Sequence, residues 1–599
     1  MLKREYQLLL LAALVLGAFY PSVLAGVSQF DDPVLFKGLE PVTGLNLHAI
    51  FFPGAGGGYY YRPLIGLSFV VDKLVLGLYP GLMHIENILL HLINTVLVYY
   101  LAFNVGKAVS PGENKDSLLP MFAAMLFGLH SVNAESVNWI SGRTDLLAGV
   151  FVLSSALFLL KYREHGKTSY IVLSLIAFLG GVLSKETSFA FIPCFLLLLS
   201  ADGQKGVSKD MADASSRRTQ QPHLLRNAAI VLGVIAIIVA AVLFRSLAYT
   251  SNTSKIGLTV RIISADWLHS LLVVMRSFGF YMKKIVFPYP LNFATMEVDP
   301  LYEVLAVPLA ALCIYIALRR TVLSAFFTTG VLLILPAFIL VFGQIAWTPY
   351  AERYLYLSTA FIIIAAAGYT ESLLTTRRVK LATVVFSLIA VIMFATTLNR
   401  SVMWQNGFLL VQDTVEKSPW SRDMKAVFAS LLIERGDYDQ ALTQVRQGRA
   451  LSPPIGVYDD RFDMYEAYIA AKKGRIDEAI NLYKTVLQNK NWQEVAALQN
   501  VTLLLQMKKG KTFKEKEQRT IDEQILSYDE KTYNITRDPY LLYKLGCGAE
   551  SLGEYRKAMI FFQKTVNSTP ASDPYKQIAM KRFVHLASYE NNDHVKAHK

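Results

Sequence analysis

Long apolar runs dominate the first two-thirds of the chain. They lie near residues 8–26, 84–106, 118–132, 144–160, 169–184, 188–200, 227–248, 301–318, 322–343, 354–372 and 380–398, about eleven in all, some of them short. Such runs predict membrane-spanning helices, because in lipid a helix satisfies its own backbone hydrogen bonds. Two other apolar segments carry charge in their middle: 62–80 holds Asp72 and Lys73, and 267–287 holds Arg276, Lys283 and Lys284. Both read as helices lying along the membrane surface. From Asn399 onward the chain is charged, helix-forming and soluble in character. The pattern predicts an all-α protein: a polytopic membrane domain over 1–398 with an outer loop and interfacial helices at 27–83, a linker over 399–420, and a soluble domain over 421–599.

The soluble domain repeats. GDYDQA at 436, GRIDEA at 474 and GEYRKA at 553 each begin with a turn glycine and end with a small packing alanine, and a degenerate unit surrounds GKTFKEK at 510. That is the tetratricopeptide (TPR) pattern, and it predicts three to four helix pairs plus a final helix at 573–590, stacked as an α-solenoid.

Composition agrees with the hydropathy pattern. Mean hydropathy is +0.35, and 53% of the 599 residues are hydrophobic against 18% charged, too apolar for a soluble enzyme of this length. The net charge of +13 is spread among short loops and the tail, with no single basic stripe, so no nucleic-acid partner is expected. Cys194, Cys313 and Cys547 have neither metal-site nor disulfide spacing. The first run carries a tolerable signal-cleavage site at Val23-Leu24-Ala25, but its length and the membrane character of the chain beyond it favour an uncleaved first span.

Lysine and arginine give the orientation. With Lys3 and Arg4 inside, the basic loops at Lys161-Arg163-Lys167, Arg217-Arg218, Arg319-Arg320 and Arg377-Arg378-Lys380 also fall inside. An odd number of spans puts the TPR domain outside, in a bacterial periplasm or, alternatively, an ER lumen. Asp31, Asp32, Arg62, His84, Glu135, Arg143, Asp145, Lys185, Glu186, Glu352 and Arg353 then gather at the outward ends of spans. Singly, each could be an interfacial anchor. Together they describe a polar cavity at the outer membrane surface. In GLHSVNAESVNWISGRTDLLAGVF, residues 128–151, a span ends at His130 and the next opens at Arg143 and Asp145. The forked donors of Arg143 suit a phosphate and the carboxylates suit sugar hydroxyls, with an Arg143–Asp145 ion pair as the structural alternative.

Four motifs resemble the lipid-linked-sugar glycosyltransferases of the GT-C fold, most closely the transmembrane-and-TPR-containing O-mannosyltransferases and their bacterial relatives. They are FDDPVLF after the first span, the 61–102 stretch opening YRPL with His84, Asn87 and His91, the His130–Asp145 stretch, and AERYLYLS at 351–358. Lys185-Glu186 and FPYPLNF at 287–293 also fit. One departure is Asn133, where relatives commonly carry a second histidine.

The resemblance implies a polyprenyl-phosphate sugar as donor, mannose in this family, and a hydroxyl acceptor, best matched to Ser or Thr of an extracytoplasmic protein that the TPR tail would present. It implies a carboxylate in the first outer loop as general base, Asp32 ahead of Asp31, with the other orienting the acceptor or the loop. The remaining residues would bind donor or acceptor. Glu352-Arg353 either holds the donor phosphate or pairs internally, Lys185-Glu186 is equally a helix-end ion pair, and His91 is read as packed. No metal ligand is assigned, although a divalent ion held by Asp31, Asp32 and His130 is an option. A lipid or polysaccharide flippase would place its charges near the membrane midplane, and a TPR assembly scaffold would need a single span.

Overall fold

A computed structural model of the chain describes residues 3–54, 60–109, 119–200, 220–248, 263–343, 348–373, 379–451, 460–488, 493–570 and 572–597. The basic pairs Arg217-Arg218 and Arg377-Arg378 lie outside them. The chain divides into two compact units, Met1–Trp420 and Ser421–Lys599.

Among the described residues, each apolar run of the first unit is mainly helical. Eight helices among these residues are long and apolar enough to cross a membrane: Arg4–Leu24, Pro80–Ala108, Ile140–His165, Ile230–Ala248, Leu301–Leu318, Val322–Phe342, Glu352–Ser372 and Lys380–Gln405. They make the chain a polytopic helical membrane protein. Three further apolar helices, Leu119–Gly128, Thr168–Ser184 and Glu186–Ser200, are shorter. Among the described residues, the eight long helices and the three shorter ones coincide with the eleven apolar runs of the sequence. The charged segments form the helices Pro63–Leu76 and Trp267–Val286.

A polar seam runs through the bundle. Asn87, His91, Asn94 and Thr95 recur at helical spacing on the helix Pro80–Val109, and all four are fully buried. His91 Nδ1 lies 2.8 Å from the Tyr356 hydroxyl and Nε2 lies 3.0 Å from the Gly128 carbonyl. Asn94 donates to the Leu146 carbonyl and Asn87 to the Trp139 carbonyl. Asn87, His91 and Asn94 thus tie the helix to its neighbours, while Thr95 donates to the His91 carbonyl of its own helix; leaving one such group unpaired there would cost about 1–3 kcal/mol. At Gly330 an added Cβ would meet the Ile362 amide and the Ser358 carbonyl at 3.0 Å, so glycine permits that close helix contact.

Among the described residues the second unit forms four helix pairs and a terminal helix, Pro574–Ala597. The pairs are Arg422–Arg435 with Tyr438–Ala450, Arg461–Lys472 with Ile476–Gln488, Glu494–Lys509 with Glu515–Thr536, and Pro539–Ser551 with Tyr555–Ser568. Each helix packs on the next along the chain. Gly436, Gly474 and Gly553 turn between paired helices at φ of 82°, 78° and 79°, a region that favours glycine. The alanines that close the three repeat motifs, Ala441, Ala479 and Ala558, are completely buried.

Candidate active site

Two adjacent carboxylates follow the first helix and have different surroundings. Asp32 is the first residue of the helix Asp32–Leu39 and is completely buried. Its Oδ1 accepts from the Ser141 amide at 3.1 Å and the Ser141 hydroxyl at 2.5 Å, and its Oδ2 accepts from the Ser28 amide at 3.2 Å. Asp31 is exposed. The preceding residue, Phe30, stacks on Phe293 at 4.1 Å between ring centres and meets Trp139 and Trp404 edge-on at 6.3 Å. Buried Asp32 and Phe30 thus fasten the loop on both sides of Asp31.

The turn that receives Asp32 is itself sterically set. In the turn Ile140–Gly142, a Cβ on Gly142 would collide with the Ser136 carbonyl group. Gly142→Ala is therefore expected to displace Ser141 and destabilise the fold by about 1–3 kcal/mol, the usual range for overpacking. Thermal unfolding in detergent checks this, and an unchanged midpoint would contradict it.

Six ion pairs, made by five cations, bring most of the remaining candidates together, with partners other than their chain neighbours. Arg143, 2% exposed, pairs with Asp72 at 2.5 Å and Glu86 at 2.9 Å, donates to Asn87 at 3.1 Å, and lies 4.6 Å over the Phe69 ring. The Arg143–Asp145 pair is thereby corrected: Asp145 bonds Lys185 at 2.5 Å. Glu186 pairs with Arg62 at 2.8 Å, so Lys185 and Glu186 do not pair with each other. Arg353 pairs with Glu135 and donates to Thr348 at 2.7 Å, while Glu352 accepts from Lys284 at 2.7 Å. Glu352 and Arg353 are therefore not an internal pair. Arg62 is the most exposed of these five cations, with 23% of its side chain accessible. Its guanidinium also lies 4.2 Å over the Tyr60 ring.

Charge is held here against desolvation. Burial pulls the Lys185 ammonium below its ordinary range; Asp145 opposes that, and Arg62 and Arg353 add to it. Burial likewise pushes the Glu135 carboxyl up, against the pull of Arg353. Asp145 Oδ2, Glu186 Oε1 and Ser188 Oγ are buried without a hydrogen-bond partner among the described residues. Protein interiors rarely leave such atoms unpaired, and a bound water or a ligand would satisfy them.

The two histidines differ. His84 is buried with Nε2 3.4 Å from the Gly26 carbonyl. His130 spends both ring nitrogens on protein: Nε2 donates to the Ile285 carbonyl at 2.9 Å, and Nδ1 accepts from the Val132 amide at 3.3 Å. Burial lowers its pKa to about 4, so it is a neutral packed residue. No group of three His, Cys, Asp or Glu among the described residues is arranged to hold a metal ion. Sequence reasoning did not select Asp72, Glu86, Ser141 or Lys284. Asp72 and Lys284 did carry a signal, charge inside an apolar segment, which marks buried pairing as readily as interfacial placement.

The fold and these residues define a class: a polytopic helical membrane protein with a charged, hydrogen-bonded cluster at helix ends and a helical-repeat unit. No family model matches the chain. It is similar to human protein O-mannosyl-transferase TMTC4, 37% identical over 142 residues, covering 21% of this chain and 19% of that protein. Protein O-mannosyl-transferase Tmtc1 of Drosophila melanogaster is 32% identical over 154 residues, 25% of this chain and 17% of that one. Human protein O-mannosyl-transferase TMTC1 is 30% identical over 173 residues, 27% and 19% respectively. The chain thus matches less than a fifth of the length of these relatives. Within that span it resembles the transmembrane-and-TPR O-mannosyltransferases.

Proposed function

We propose that the chain is an integral-membrane glycosyltransferase of GT-C type. It would move a sugar, mannose by analogy with its relatives, from a polyprenyl phosphate to a Ser or Thr hydroxyl of an extracytoplasmic protein. The observation that carries this reading is the exposed carboxylate of Asp31, fastened by Phe30 and buried Asp32 to the turn that leads into the charged cluster. Asp31 is taken as the base because it is the exposed carboxylate, open to an incoming hydroxyl. Asp32, buried and bonded to Ser28 and Ser141, acts as the positioning group.

In this mechanism the acceptor oxygen attacks the anomeric carbon and Asp31 takes the hydroxyl proton. The bond from the anomeric carbon to the phosphate oxygen breaks, and polyprenyl phosphate leaves with the electron pair. Arg62, the most accessible cation of the cluster, turns from Glu186 to the departing phosphate, with Lys185 behind it. The unpaired acceptor atoms of Asp145 and Glu186 suit sugar hydroxyls. The TPR unit would hold the acceptor protein in a bacterial periplasm, or in the ER lumen if the membrane is that of the ER.

The test is transfer by the full chain in nanodiscs, with polyprenyl-phosphate sugars compared with nucleotide sugars. Transfer from the lipid-linked donors alone is expected. Arg62→Gln is expected to raise the donor KM by on the order of ten- to a hundredfold, the worth of a hydrogen bond to a charged group. Transfer from nucleotide sugars alone, or an unchanged KM in the variant, would contradict the reading.

A further inference from the structure

The most exposed large apolar side chain among the described residues is Phe513, at 98%. It projects from the turn between the helices Glu494–Lys509 and Glu515–Thr536. Leu503 and Met507, one helical turn apart on the helix leading in, are also exposed. A phenylalanine left fully in water contributes nothing to its own domain's core, and with two more apolar side chains in the same helix–turn it marks a contact surface.

The turn is also basic. Residues 507–519, MKKGKTFKEKEQR, contain Lys508, Lys509, Lys511, Lys514, Lys516 and Arg519 against Glu515 and Glu517, six positive charges less two negative, or +4. Four of these cations have carboxylate partners: Lys508 pairs with Asp477, Lys509 with Asp522, Lys514 with Glu517 and Arg519 with Glu523. Lys511 and Lys516 are exposed and make no ion pair among the described residues.

We propose that this turn docks on an anionic lipid surface, with Phe513 entering the interfacial layer and the lysines meeting headgroup phosphates. An aromatic tip ringed by lysines matches the two attractions of such a surface, apolar burial and charge. The chain's own spanning helices keep a bilayer at high effective concentration, so a weak contact suffices. An acidic peptide without apolar side chains would satisfy the lysines and leave the projecting Phe513 in water. The inference rests on the membrane-spanning unit and not on sugar transfer.

Hydrogen exchange of the full chain in nanodiscs tests it. The Phe513 and Lys514 amides donate no hydrogen bond among the described residues, so they report directly on cover from outside. Exchange over 507–519 is expected to be severalfold slower in phosphatidylcholine discs containing phosphatidylglycerol than in phosphatidylcholine discs. The difference should vanish in the triple variant Phe513→Ser, Lys511→Glu, Lys516→Glu, with exchange elsewhere in the unit unchanged. Equal rates in the two discs, or slowing that survives the triple variant, would overturn the proposal. Slowing in neutral discs only on adding a polyglutamate peptide would reassign the turn to an acidic protein partner.

Discussion

Asp31→Asn is expected to lower sugar transfer by about 10²–10⁴-fold, the range that a positioned general base contributes, while the protein stays folded and still binds donor. Asparagine keeps the size and polarity of the exposed side chain but cannot take the acceptor proton. Asp32→Asn should behave differently. It replaces a buried acceptor of three hydrogen bonds with a group that must turn an N–H toward Ser28 or Ser141. Loss of stability and of loop position should accompany any fall in its rate. Single-turnover transfer beside thermal unfolding separates the two; equal rates for wild type and Asp31→Asn would remove Asp31 from the chemistry.

Arg143→Leu is expected to have the largest effect on folding. It strips the counter-charge from Asp72, whose side chain is 3% exposed, and from Glu86, which is about one-third exposed. Breaking a buried pair from one side typically costs about 3–5 kcal/mol, because the remaining charge is left without compensation. The expected readout is a sharp loss of monodisperse protein after extraction. The double variant Arg143→Leu, Asp72→Leu should recover much of it, since an apolar pair of similar volume removes the stranded carboxylate. A single variant that purifies like wild type would contradict this account of the cluster.

The helices were legible because each apolar run must satisfy its backbone internally, and the TPR turns were legible because only glycine sits easily at φ near 80°. Span length was less so: a hydropathy run does not mark where the backbone leaves the helix, as at Gly128 before His130. Ion-pair partners were illegible for a geometric reason. Lys185 has extended backbone angles, φ −157° and ψ 136°, so it and Glu186 point apart. Glu352 and Arg353 share a tight 3₁₀ turn of three residues per turn, which also separates neighbouring side chains. Asp31 and Asp32 straddle a helix start, so one turns inward and its neighbour outward. Chain adjacency suggested pairs, and the fold assigned each charge to a residue up to 218 positions away.

The most direct measurement is transfer of mannose from polyprenyl phosphate mannose to Ser/Thr-containing acceptor protein by wild type, Asp31→Asn and Asp32→Asn in the same nanodiscs. The account predicts transfer by wild type, its loss in a stable Asp31→Asn protein, and a reduced rate together with reduced stability in Asp32→Asn. A folded wild type that transfers no sugar, or an Asp31→Asn protein as active as wild type, would contradict it.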